Sequence, residues 1–61
     1  MDVYEVGGKQ YQIEITQKGH RFDWYFIDPE MRMHRNMDET APTYEIALAE
    51  AKFAIQRHGR S

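Results

Sequence analysis

Residues 31–37, Met-Arg-Met-His-Arg-Asn-Met, place three methionines, two arginines and a histidine within seven positions. Thioethers favour Cu(I), and a Met-x-Met pair beside a histidine is a donor set that such an ion takes. On an extended strand, however, Met31, Met33, Arg35 and Met37 share one side, and Arg32, His34 and Asn36 take the other. The histidine then lies across the strand from the sulfurs, and one strand cannot bring both to one ion. Methionines also fill irregular gaps in small cores without any ion. The stretch is therefore expected to be a core strand, with its methionines inward and no metal. His20, His34 and His58 are scattered along the chain, and Glu30 with His34 spans a turn and a strand, so no ligand pair on one helical face is expected.

Other chemistry has less behind it. There is no cysteine, and serine occurs only as Ser61, so cysteine and serine nucleophiles are nearly missing. Asp28 and Glu30 form a close carboxylate pair, but in Asp-Pro-Glu they are expected to do turn chemistry rather than acid–base work. Gly7-Gly8 leads into a strand rather than a helix, which excludes a phosphate-binding loop. No catalytic residue, metal ligand or cofactor is assigned, and the chain is expected not to be an enzyme.

The elements that position these residues follow from periodicity. Val3–Val6 and Lys9–Thr16 meet across Gly7-Gly8, two residues that accept the positive φ of a tight hairpin turn. That register sets Tyr4 opposite Tyr11 and leaves Val6, Ile13 and Ile15 on one side. Arg21–Ile27 alternates Phe22, Trp24 and Phe26 against Arg21, Asp23 and Tyr25. Asp28-Pro29-Glu30 is a turn, and residues 31–37 make the next strand, closed by the polar Asp-Glu-Thr-Ala-Pro-Thr. From there the pattern turns helical. Thr43 caps, Glu45 lies in the first turn, and Arg57 and His58 precede Gly59. At ~100° per residue, Tyr44, Ala47, Leu48, Ala51, Ala54, Ile55 and His58 share a face that packs on Tyr4, Tyr11, Ile13, Ile15, Phe22, Trp24 and Phe26. The predicted fold is α+β: an antiparallel meander of three to four strands, about 3–6, 9–16, 21–27 and 31–37, with one helix, about 43–58, across one face.

Two surfaces remain. The uncovered sheet face is expected to carry Arg21, Tyr25, Arg32, His34 and Asn36 with Gln10 and Gln12, groups that can grip phosphate or stack on a base. Glu5, Glu14 and Asp23 share that face, and a solvated face of cross-strand ion pairs is the simpler expectation. On the helix, Ile46, Ala49 and Phe53 form a second, narrow apolar stripe about 140° to 200° from Tyr44. It is flanked by Glu45, Lys52 and Gln56 on one side and by Glu50 and Arg57 on the other.

Sixty-one residues make one domain, near the size at which stability is marginal and disulfides, a metal or a partner usually reinforce the core. Without cysteine, oligomerisation is the expected reinforcement. The 41% hydrophobic content belongs to a folded chain, and a net charge of −2 predicts no strong attraction to nucleic acid or anionic lipid. No apolar run approaches membrane-spanning length and the start lacks a secretion-signal profile, so a cytoplasmic protein with no membrane partner is expected.

The segment Thr43-Tyr-Glu45-Ile-Ala47-Leu48-Ala-Glu-Ala51-Lys-Phe-Ala54-Ile55 resembles the helix that follows the sheet in HicB-like antitoxins, over the last third of the chain. Phe22-x-Trp24-x-Phe26-Ile27-Asp28-Pro29 followed by that helix also resembles small uncharacterised bacterial domains of a short sheet plus one helix. The expected function is a non-enzymatic self-association or protein-binding domain, with Ile46, Ala49, Phe53 and Arg57 as the interface. The alternatives are a nucleic-acid-associated module, HicB-like antitoxin or regulator-like, using Arg21, Tyr25, Arg32 and His34 of the open sheet face, and a small-ligand binder between helix and sheet.

Overall fold

The computed structural model describes residues 2–60, Arg60 by its backbone alone; Met1 and Ser61 lie outside the described residues. Strands β1 (Asp2–Val6), β2 (Lys9–Lys18), β3 (Arg21–Ile27) and β4 (Met33–Arg35) form one antiparallel sheet in the order β1-β2-β3-β4. Helix α1 (Tyr44–Arg60) packs on one face of it, which is the expected α+β meander. Gly7 and Gly8 both have positive φ, 59° and 79°, and close the first hairpin with Tyr4 opposite Tyr11.

Cross-strand partners lie on the same sheet face. Ile13 opposite Phe26 and Ile15 opposite Trp24 therefore build one inward surface, as the alternation predicts. Tyr11, Ile13, Trp24 and Phe26 are buried against Ala47, Ala51 and Ile55 of α1, with Tyr4, Ile15, Phe22, Leu48 and Ala54 packed around them. The two alanines are wholly covered because their small side chains let the helix backbone lie close to the sheet. Thr43 caps α1: its Oγ1 accepts the Ile46 N–H at 3.1 Å. Beyond the expected stop, α1 continues through Gly59 to Arg60. Tyr44, placed on the core face by periodicity, is exposed at the start of α1, where its hydroxyl donates to Asp2 at 2.8 Å and its ring meets Phe22 edge-on.

The largest departure is the fourth strand. Only Met33–Arg35 is extended, and the face expected to be inward is the outward one. The Met31 N–H donates to the Asp28 carbonyl at 2.9 Å, closing a turn with Pro29 and Glu30 in the middle. Met31 then takes a left-handed φ of 67°, and the Asp28 N–H donates to the Arg32 carbonyl at 2.9 Å. The connection is thus a three-residue loop, a turn followed by a left-handed residue. This loop sets Ile27 opposite Met33 and Phe26 opposite His34. His34 faces the helix, and Met31, Met33 and Met37 are 76%, 52% and 91% exposed, so the methionines are not core residues. A loop one residue shorter would have reversed this parity.

Ala41 was expected in a polar loop, yet it is buried and adds a bridge to β3. The Phe22 N–H donates to the Ala41 carbonyl at 2.8 Å, and the Ala41 N–H donates back at 2.7 Å. Residues 36–42 therefore run back along β3 beyond the short β4.

Trp24→Ala should cost about 3–5 kcal/mol, a large part of what so small a domain has, and chemical denaturation should find the variant mostly unfolded. Met33→Ser should stay within about 0.5 kcal/mol of the parent, because the side chain faces away from the helix. A loss several times larger in the second variant would restore the inward methionine.

Candidate functional site

The alternation that turns Phe22, Trp24 and Phe26 toward the helix continues one step past β3 to Asp28, which is buried beneath the end of α1. Its two carboxylate oxygens have separate tasks. Oδ1 accepts the backbone N–H groups of Glu30 and Arg32, each at 2.9 Å, and so holds the loop described above. Oδ2 faces the helix, 2.8 Å from Nε2 of His34 and 3.7 Å from Nε2 of His58. The rings are held from behind. His34 stacks on Phe26 with centroids 4.7 Å apart, and His58 stands edge-on to Phe26 at 5.9 Å and to Tyr11 at 6.1 Å. The two imidazole centroids are 4.5 Å apart.

The histidines expected to be scattered therefore converge, except for His20. One ligand atom each from Asp28, His34 and His58 lies within 4.8 Å of the others. The set joins a turn, an edge strand and a final helical turn, so no contiguous spacing motif displays it. Two signals were nonetheless present: the parity of Asp28 after Phe26, and His58 on the core stripe of the helix. Asp28 does perform the expected turn chemistry, but with one oxygen only.

The nucleic-acid candidates do not assemble. Tyr25 lies on the uncovered face, opposite Glu14 and Arg35, whereas His34 is on the helix side. Arg21 is engaged with the loop after β4, donating from Nε to Thr40 Oγ1 at 2.7 Å and from Nη2 to the Thr40 carbonyl. Arg32 contributes its backbone to the β3–β4 loop and its side chain is exposed. Asn36 turns back to Asp23, donating from Nδ2 at 3.0 Å. On the uncovered face Lys18 pairs with Asp23 at 3.7 Å, as expected for a solvated sheet surface.

The helical stripe is present as predicted, with Ile46 42% and Phe53 61% exposed and Ala49 exposed between them. Together with residues 35–40 and Pro42 it borders an open groove of about 1070 Å³. Arg57 lies over the Phe53 ring, 5.9 Å from its centroid, and Glu50 accepts the Trp24 indole N–H at 3.3 Å. The groove runs between α1 and the β3–β4 side of the sheet, with Trp24 and Arg35 among its lining, while Ile13 and Ile55 are fully buried away from it. Among the described residues no helix is long and apolar enough to cross a membrane.

No protein-family model matches the chain, and no curated protein and no solved structure matches it significantly.

The hydrogen bond from His34, followed by the Arg32 backbone N–H, holds the Asp28 carboxyl at about 2, below its ordinary 3.8. A carboxyl that binds its proton more weakly when folded contributes stability that is complete above about pH 4 and lost as pH falls toward 2. Asp23, lowered chiefly by its hydrogen bond from Asn36, acts in the same direction. Unfolding measured from pH 5 to pH 2 should show a steep loss in the parent and a shallower one in Asp28→Asn. Equal slopes would mean that this carboxyl does not link folding to protons.

Proposed function

We propose that the chain is a small non-enzymatic α+β domain that acts by protein–protein contact, and that its partner on the α1 stripe is a second copy of itself. The exposure of Phe53, beside Ile46 on the helix side away from the core, is the observation that carries this reading. A domain of 61 residues with no disulfide has a thin core, and each large apolar side chain fully covered in a dimer adds roughly 1.5–3 kcal/mol.

Charge supports self-pairing. Glu50 and Arg57 lie on the same flank of the stripe, one on each side of Phe53 along the helix. An antiparallel pairing of two α1 helices about a two-fold axis near Phe53 brings like flanks together. Glu50 of each copy then stands opposite Arg57 of the other. These are rim pairs of modest energy that set register more than affinity, while the apolar stripe supplies the attraction.

Sedimentation at high micromolar concentration is expected to find a dimer, and Phe53→Asp a monomer with an unchanged far-ultraviolet circular dichroism spectrum. Arg57→Glu, which sets Glu against Glu50 across the axis, should weaken the dimer and make it more salt-sensitive in the opposite sense. A parent chain that stays monomeric at these concentrations rules the proposal out, and tight oligonucleotide binding would favour the nucleic-acid alternative.

A further inference from the structure

The convergence of two imidazole nitrogens on one carboxylate oxygen has no part in the stripe on the helix flank. His34 Nε2 lies 2.8 Å from Asp28 Oδ2, and His58 Nε2 approaches the same oxygen from α1 at 3.7 Å. We propose that Asp28, His34 and His58 form a binding site for one divalent first-row transition-metal ion of the Zn²⁺ type.

Three observations support the assignment. The first is spacing. Ligand bonds of ~2.0–2.1 Å at a tetrahedral angle set neighbouring donors ~3.3–3.4 Å apart, and the two distances to Oδ2, 2.8 Å and 3.7 Å, bracket that value. All three donor atoms lie within 4.8 Å of one another.

The second is preorganisation. A ligand carboxylate is usually oriented by hydrogen bonds to its remaining oxygen. Here Oδ1 is held by two backbone N–H groups at 2.9 Å, so Oδ2 is directed at the imidazoles by the β3–β4 loop itself. Phe26 braces both rings. The donors come from the end of β3, from β4 and from the last turns of α1, so an ion would join the edge of the sheet to the end of the helix. A chain without disulfides gains most from such a link.

The third is donor chemistry and access. Two imidazoles and one carboxylate suit Zn²⁺, Co²⁺, Ni²⁺ or Fe²⁺, whereas Mg²⁺ and Ca²⁺ prefer oxygen-only shells. Cu(I) would need the thioethers, and Met33 lies on the other sheet face. Three protein donors leave at least one position open, and a cleft of about 350 Å³ beside His34 and His58 has room for water to complete the shell.

The test is calorimetric titration of the chelator-stripped full chain with Zn²⁺ near neutral pH, with Co²⁺ as the spectroscopic probe. The expected result is one ion per chain, visible d–d bands from bound Co²⁺, a melting temperature that rises with Zn²⁺ concentration, and no response to Mg²⁺. His34→Ala and His58→Ala should each weaken Zn²⁺ binding at least tenfold. His20→Ala, outside the cluster, should bind as the parent does. Because His34 also stacks in the core, His58→Gln near the exposed end of the helix carries the test if His34→Ala fails to fold. Phe53→Asp should still bind the ion, which separates this site from the dimer. Absence of stoichiometric Zn²⁺ uptake by folded protein would overturn the assignment. So would uptake that survives in His58→Gln, or uptake that His20→Ala abolishes equally.

Discussion

The Asp28 carboxylate ties the last hairpin of the sheet to the end of the helix. Burying a carboxylate is costly unless its lone pairs are satisfied. Here one oxygen takes two backbone N–H groups and the other meets an imidazole at hydrogen-bond distance. Those bonds specify the three-residue loop, and the loop specifies which residues of β4 face inward. With that parity His34 covers Phe26 and reaches toward α1. With the opposite parity a methionine would sit there, and the buried carboxylate would lose its side-chain partner.

The remainder of the core is a compromise between thin layers and close approach. Four inward side chains of the sheet, Tyr11, Ile13, Trp24 and Phe26, meet two alanines and one isoleucine of the helix. Large residues on the sheet and small ones on the helix fill the space with few side chains, as a chain of this length requires. The polar ends of the aromatic residues are used too, since the Trp24 indole reaches Glu50 and the Tyr4 hydroxyl accepts from Gln56. These bonds fix the rotation of α1 about its own axis. That rotation sets which flank carries Phe53 to the surface and brings His58 over Asp28.

One helix thereby serves two surfaces. Its outer flank presents an apolar stripe beside the groove formed with residues 35–40 and Pro42, and its last turns complete a cluster of two histidines and an aspartate. The apolar stripe and the donor set use different residues, while Arg57 borders both the groove and the cleft beside the histidines. Ile46, Ala49 and Phe53 have no place in the cluster, and the donors have none in the stripe. Both would reinforce a core that a chain of 61 residues can hardly enlarge.

Local patterns were enough to place most of the fold. Two adjacent glycines determined the first hairpin and its register, alternation determined the inward face of β3, and helical periodicity with Thr43 determined α1 and its exposed stripe. These are short-range properties, decided by φ preference and by side-chain period, and they are written in consecutive residues. The hairpin from β3 to β4 was not legible in the same way. Whether Asp-Pro-Glu-Met closes through two residues or three depends on Met31 accepting a left-handed φ, which no side-chain preference of methionine announces. That one choice reverses the strand, exposing the methionines and turning His34 inward. The convergence of Asp28, His34 and His58 then required the helix to lie at a particular rotation over the sheet. The sequence by itself therefore determined the elements and most of their buried faces. The tertiary structure decided the parity of the last strand and the meeting of three donors from three elements, because both depend on contacts between residues far apart in the chain.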